Sequence, residues 1–324
     1  MDKTAVIKHP IEQELIEFKE VFDNSLHTSN PLLKEVLSYI RRRNGKMMRP
    51  ILALLVAKQF GSISPATYHA AATLEMLHTA SLVHDDVVDE SDERRGQPSV
   101  NSAYNNKISV LVGDYLLSTA LHHAALTRNI DIVEAVARLG QNLSEGEILQ
   151  LSNISNEQLS EEVYYEVIRK KTAVLFATCA QVGAMSAGAT EEEVEMFRLF
   201  GDKIGICFQI KDDIFDYYDN IQIGKPTGND MLEGKITLPA IYAINNFGNE
   251  RTAELVRKIK DNRISSAEIA EMVAFTKEHG GIEYAEKVME EYRQDALQIL
   301  QYVKDDAIRE ALTAYLNYVI DRTI

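Results

Sequence analysis

The chain is poor in cysteine and unevenly supplied with proline: two cysteines, Cys179 and Cys207, in 324 residues, and no proline between Pro98 and Pro226 or beyond Pro239. Two thiols in apolar surroundings, without metal-ligand spacing, exclude a disulfide framework and fit a reducing cytoplasm. The proline-free stretches are open to helix. Long hydrophobic runs are missing too. Ile51 to Ala57 is far too short to span a bilayer, and the charged segment Met1 to Glu20 lacks the apolar core of a signal peptide. Positive charge is scarce: 34 Lys and Arg stand against 49 Asp and Glu, a net charge of -15. A general nucleic-acid binder would carry a basic face, so that class is excluded.

What is present is helical periodicity. Apolar residues recur at helical spacing through Ile108 to Leu126, Ile130 to Leu151, Val163 to Ala187, Val194 to Tyr218 and Ala267 to Ile320. Strand-like alternation is absent. A content of 45% apolar and 26% charged residues supports a substantial core. Asn30-Pro31 and Ser64-Pro65 read as helix starts; Arg95-Gly96-Gln97-Pro98 and Gly224-Lys225-Pro226-Thr227-Gly228 read as loops. With no Pro, Gly or Ser linker and no tandem repeat, the expectation is one all-α domain over residues 1–324, built of about a dozen helices.

Within these helices an acidic cluster, DDxxD, occurs twice: Asp85-Asp86-Val87-Val88-Asp89 and Asp212-Asp213-Ile214-Phe215-Asp216. On a helix, Asp85 and Asp89 lie about 40° apart on one face, as do Asp212 and Asp216. Like charges at this spacing repel and destabilise a helix unless a cation neutralises them. Mg²⁺ suits the pattern, because it takes a few carboxylates and completes its shell with water and phosphate oxygens. Two such pairs facing each other would form a polyphosphate clamp. Read alone, either cluster is also a solvated acidic patch. The apolar neighbours Leu82, Val83, Ile206, Phe208 and Ile210 argue against that. Asp86 and Asp213, turned about 100° from the acids beside them, read as supports for those acids. Cations gather near these clusters and near glycines: Lys46, Arg49, Arg94, Arg95, Lys171, Lys225 and Lys235.

Five segments, in order and spacing, carry a resemblance: Gly45-Lys46-Met47-Met48-Arg49-Pro50; His78 with Asp85–Asp89 and Arg94-Arg95-Gly96; Lys171-Thr172; Phe208-Gln209 with Asp212–Asp216; and Gly224-Lys225-Pro226-Thr227-Gly228-Asn229-Asp230 through Gly234-Lys235-Ile236-Thr237-Leu238-Pro239. Together they resemble the trans-prenyltransferases, the (E)-isoprenyl diphosphate synthases, from about Gly45 to Pro239. The resemblance implies a helical bundle around a central cavity. It also implies condensation of an allylic prenyl diphosphate with isopentenyl diphosphate, assisted by three Mg²⁺. By it, Asp85 and Asp89 would hold two ions and Asp212 a third, with help from Asp216 through water. Arg94, Lys171, Lys225 and Lys235 would grip the allylic diphosphate. Lys46, Arg49, His78 and Arg95 would hold isopentenyl diphosphate, and Thr172 and Gln209 would turn oxygens toward the developing carbocation. Independently, breaking an allylic C–O bond calls for concentrated positive charge on the leaving diphosphate. Arginine supplies a planar fork for phosphate and lysine a point charge.

Plainer readings stand beside these. His78 alone reads as a core histidine, but its two-turn spacing puts it on the face of Asp85. Lys171, next to Arg169 and Lys170, alone reads as basic surface. His122-His123, Tyr164-Tyr165 and Tyr217-Tyr218 read as packing. The residues four and five before Asp85, Ser81 and Ala80, are small where short-chain members of the family often carry an aromatic plug. A tail running below the acids would therefore extend by several isoprene units, each comparable to a helical turn of about 5.4 Å. The expectation is a long-chain product, heptaprenyl to decaprenyl, for a quinone side chain. The alternatives are a farnesyl or geranylgeranyl diphosphate synthase, a noncatalytic subunit of a heteromeric synthase, and a structural helical protein. A terpene cyclase would lack the second DDxxD and the Gly-Lys-x-Thr-Leu-Pro segment. The resemblance also implies a homodimer, with the helices that carry Tyr104, Leu116 and Leu117 offering an apolar interface; the cysteine usage fits a cytoplasmic location, and so hydrophobic a product implies at most transient membrane contact.

Overall fold

The computed structural model describes residues 4–42, 45–61, 63–94, 96–154, 159–218 and 227–322. Helices form where apolar periodicity places them: Asn106–Leu126, Ile130–Ile154 and Glu191–Phe215 match their stretches within a few residues. The two expected helix starts are real. Asn30 accepts the amide of Leu33 at 3.1 Å at the head of Pro31–Arg41, and Ser64 precedes the 24-residue helix Pro65–Val88. Two long stretches divide. Val163 to Ala187 becomes Glu161–Ile168, a π-helical turn Arg169–Ala173, and Val174–Ser186. Ala267 to Ile320 becomes Ser266–Glu278, Gly281–Leu300 and Asp306–Ile320, the first break turning on Gly280 at φ +73°. The expected loop after the first acids contains a short antiparallel pair, Glu93–Arg94 with Gln97–Pro98. Among the described residues, no helix is long and apolar enough to cross a membrane.

The chain resolves into two compact units: Met1–Gly140 with Leu175–Gly201 and Ile299–Tyr315, and Gln141–Val174 with Asp202–Gln298 and Leu316–Ile324. The divisions fall within helices, not at a linker.

In the first unit, Met48–Lys58 is buried on every side from Pro50 to Ala57, as its aliphatic run requires. Gly183 lets Val174–Ser186 come close to it, since a β-carbon there would lie 2.4 Å from the Ala53 carbonyl oxygen. The helix Pro65–Val88 packs against Asn106–Leu126 through Ala80, Val83, Val112 and Leu116. Leu116, expected at an interface between copies, is 2% exposed and belongs to this core. The outer face of Asn106–Leu126 instead presents Val110, Leu111, Leu117 and Leu121, between 37% and 63% exposed.

The same helix pair buries His123 against His69, their Nδ1 atoms 3.0 Å apart. Burial, with His69 and His122 adding to it, holds the His123 imidazole down at about 4. A base depressed in the fold keeps its stabilising effect above its unfolded value of 6.5 and loses it as pH falls toward 4, because the unfolded chain binds the proton more tightly. The loss is on the order of 3 kcal/mol. Thermal melts across that interval should show the wild type softening with acid and His123→Gln softening less; parallel slopes would refute the assignment.

In the second unit, Arg169–Ala173 is clasped by two glycines. A β-carbon on Gly146 would lie 2.9 Å from the Lys171 amide nitrogen, and one on Gly205 would lie 2.4 Å from the Ala173 α-carbon. The close approach these glycines permit accommodates the π turn that carries Lys171 and Thr172.

Candidate active site

Both acid clusters lie where a helix ends, one in each unit. Asp85 and Asp86 fall in the last turn of Pro65–Val88, and Asp89 is its C-cap, donating its amide to the Asp85 carbonyl at 2.8 Å. Asp212 and Asp213 fall in the last turn of Glu191–Phe215, with Asp216 one residue beyond. Neither last turn holds a basic residue. A helix C-terminus carries partial negative charge and favours cations, so carboxylates placed there must be balanced by cations from outside the helix.

The middle acids behave as supports. Asp86 and Asp213 are each 2% exposed. Asp86 accepts from Arg94 Nε at 2.7 Å, so Arg94, expected on a diphosphate, is held by that acid here. Asp213 accepts from the Tyr164 hydroxyl at 2.6 Å and from Gln209 Nε2 at 2.8 Å. Gln209 Oε1 in turn accepts from the Thr172 hydroxyl at 2.7 Å. Thr172 and Gln209 are thus joined in one chain of hydrogen bonds ending on a buried carboxylate. Burial and the neighbouring Asp230 push Asp213 well above the usual carboxylate range, while the donors from Tyr164 and Gln209 oppose that rise. Tyr164, read from sequence as packing, is a functional contact that reading misses. Tyr164→Phe should cost about 1–3 kcal/mol of stability, the penalty for leaving a buried hydrogen bond unmade. An unchanged melting temperature would show that the bond contributes nothing.

The outer acids differ. Asp85 is half-buried and Asp89 exposed. Asp212 accepts from Arg322 Nη2 at 2.5 Å. The oxygens of Asp216 accept the amides of Asn229 at 2.9 Å and Asp230 at 3.2 Å, which ties the acid to the loop turned by Gly228 at φ +78°. Burial, then Asp230, raise Asp216 to about 6.

The expected cations are placed as follows. Lys46 is exposed and Arg49 half-buried, flanking Met47, whose φ of +52° makes it a strained left-handed N-cap. The Arg49 guanidinium carbon lies 5.5 Å from the Phe176 ring, and its Nε is buried without a hydrogen-bond partner. An orphaned buried donor of this kind suits an incoming anion. His78 is half-buried on the helix of Asp85. Lys171 pairs with Glu147 at 2.5 Å and Lys235 with Glu233 at 2.5 Å. Arg95 and Lys225 lie outside the described residues. In the second unit a cavity of about 220 Å³ brings together Lys171, Thr172, Gln209, Asp213, Asp230 and Lys235. Lys260, absent from the expected set, also lines it and donates to the Asn153 carbonyl oxygen at 3.1 Å.

A model of the polyprenyl synthetase family matches residues 30–276. The chain belongs to that family. It is a trans-prenyltransferase, as the resemblance implied. Octaprenyl diphosphate synthase of Haemophilus influenzae is 36% identical over 92% of this chain and 90% of its own length. The crystal structure of geranylgeranyl pyrophosphate synthase from Bacteroides thetaiotaomicron superposes with a TM-score of 0.87 at 52% identity, covering 99% of this chain and 100% of that one. Polyprenyl synthase from Caulobacter crescentus, solved with calcium and isoprenyl diphosphate, matches with a TM-score of 0.91 at 29% identity over 98% of both chains. The donor chemistry of the enzyme fits a hard divalent cation, since among the described residues carboxylate oxygens cluster at two helix ends whose own last turns hold no base. Among the described residues no three His, Cys, Asp or Glu side chains converge to hold a metal by themselves; a cation held there would need water or phosphate oxygens to complete its shell, as Mg²⁺ does.

Proposed function

We propose that this enzyme condenses an allylic prenyl diphosphate with successive isopentenyl diphosphates to give a long-chain all-trans polyprenyl diphosphate. The strongest support for this reading is the repeated placement of a DDxxD at a helix end that lacks its own base. Asp85, Asp89 and Asp212 would hold the Mg²⁺ ions, three with substrate bound, and Asp216 would assist through water. Bound there, Mg²⁺ supplies Lewis-acid stabilisation of the departing diphosphate.

The side chains do the rest. Arg94, Lys171, Lys225 and Lys235 neutralise the allylic diphosphate, and Lys171 and Lys235 exchange Glu147 and Glu233 for phosphate oxygens as substrate enters. Lys46, Arg49, His78 and Arg95 hold isopentenyl diphosphate, with the unsatisfied Arg49 Nε among the donors. The fixed chain from Thr172 through Gln209 to Asp213 orients oxygen dipoles where the allylic cation develops. The exposed apolar face of Asn106–Leu126 supports a homodimer, and the buried Cys179 and Cys207 thiols, both pushed up to about 12 by burial, suit a reducing cytoplasm.

A second reading, a geranylgeranyl diphosphate synthase, is favoured by the 52% identity to the Bacteroides thetaiotaomicron structure. The small residues Ala80 and Ser81 favour the longer product. Incubation with Mg²⁺, farnesyl diphosphate and labelled isopentenyl diphosphate, followed by sizing of the dephosphorylated alcohols, separates the two. Heptaprenyl or longer alcohols that vanish with chelator support the long-chain reading, and accumulation at geranylgeraniol overturns it.

A further inference from the structure

The second DDxxD obtains a cation from the far end of the sequence. Arg322, two residues beyond the helix Asp306–Ile320, donates from Nη2 to Asp212 Oδ1 at 2.5 Å and to the Phe208 carbonyl oxygen at 2.9 Å. Its guanidinium lies 3.9 Å from the centre of the Phe208 ring and 5.6 Å from that of Phe215, stacking as guanidinium groups do on aromatic faces. The side chain is 23% exposed and that of Asp212 is 41% exposed, so the pair is half shielded from water.

The contact is incomplete in a telling way. A pair built for permanence engages the carboxylate with two parallel N–H bonds. Here Nη2 serves both the Asp212 carboxylate and a carbonyl, while Nε is buried with no hydrogen-bond partner. A buried donor left unmade costs free energy, and that cost makes the guanidinium easier to displace. We propose that Arg322 is the resident counter-cation of Asp212, a positioning residue that holds the carboxylate of the metal-free enzyme and yields it to a divalent cation. The inference rests on the reading of Asp212 as a metal ligand. Occupancy of Asp212 by metal and by Arg322 is then mutually exclusive, and the carboxyl-terminal segment is released when the metal enters.

Mn²⁺ alone, titrated into substrate-free enzyme with free Mn²⁺ counted by electron paramagnetic resonance, tests this without recourse to activity. Arg322→Gln should bind Mn²⁺ about fivefold more tightly at one site, the worth of a partly screened ion pair. Asp212→Asn should lose that site, and Arg322→Gln should change nothing further in the Asp212→Asn background. If Asp212→Asn loses a site but Arg322→Gln binds no more tightly than wild type, the exchange is overturned while the metal reading stands. If Asp212→Asn keeps every site, Asp212 is no metal ligand and both fall. Should Arg322→Gln fail to fold, Arg322→Lys, which keeps the charge and loses the planar fork, must bind Mn²⁺ about twofold more tightly; affinity equal to or below wild type overturns the proposal.

Discussion

Asp85→Ala is expected to lower turnover by about 10²–10³-fold, the scale on which a single stabiliser of developing charge acts, with helix content unchanged. The same substitution should leave the metal-free protein as stable as before or more so, by up to about 1 kcal/mol, because it removes a negative charge from a helix C-terminus and from the i, i+4 pair with Asp89. Loss of function with retained or increased stability is the signature of an acid kept for a ligand. Asp86 provides the contrast one residue along. It is 2% exposed and bonded to the partly exposed Arg94, so Asp86→Ala strips a charge-assisted hydrogen bond and should destabilise by about 1.5–3 kcal/mol. Steady-state turnover with Mg²⁺ and thermal melts without it decide both cases. Near-normal turnover of Asp85→Ala would refute its metal role, and an unchanged melt for Asp86→Ala would refute its supporting one.

The contrast between these adjacent acids was legible in sequence because helical geometry separates them by about 100° whatever the tertiary fold does. So were the starts at Asn30-Pro31 and Ser64-Pro65, where local chemistry alone fixes the backbone. The π turn was not. Its residues, Arg169 to Ala173, read as ordinary helix, and the widening depends on Gly146 and Gly205 letting neighbouring helices close upon it. Tyr164 and Arg322 escaped for a related reason: their partners lie 49 and 110 residues away in sequence, a distance no periodicity encodes. The pairing of His69 with His123 is of the same kind. Leu116 shows the converse limit, since an apolar residue on a helix is equally fit for its own core or for a neighbour, and packing puts it in the core while Leu117 on the same helix stays exposed.

Packing also separates the two residues that hydrophobic tail length was expected to depend on. Ala80 is 2% exposed within the cluster of Val83, Val112 and Leu116, so a phenyl ring there must overfill a packed core at a cost of about 1–3 kcal/mol. Ser81 is half-buried, and among the described residues its hydroxyl bonds back to the His78 carbonyl at 2.9 Å, within its own helix; losing that bond changes stability little. Ser81→Phe is therefore the cleaner plug. It should shift the product distribution down by several isoprene units, each about one 5.4 Å turn of tail, with a melting temperature near that of wild type. Ala80→Phe should shorten products as well, but with a lower melting temperature, so that its activity reports packing and plugging together. The alcohols released by each variant, sized beside those of the wild type, separate the effects. If both variants turn over and both return the wild-type distribution, no tail passes this face of the helix, and the small residues before Asp85 serve helix packing alone.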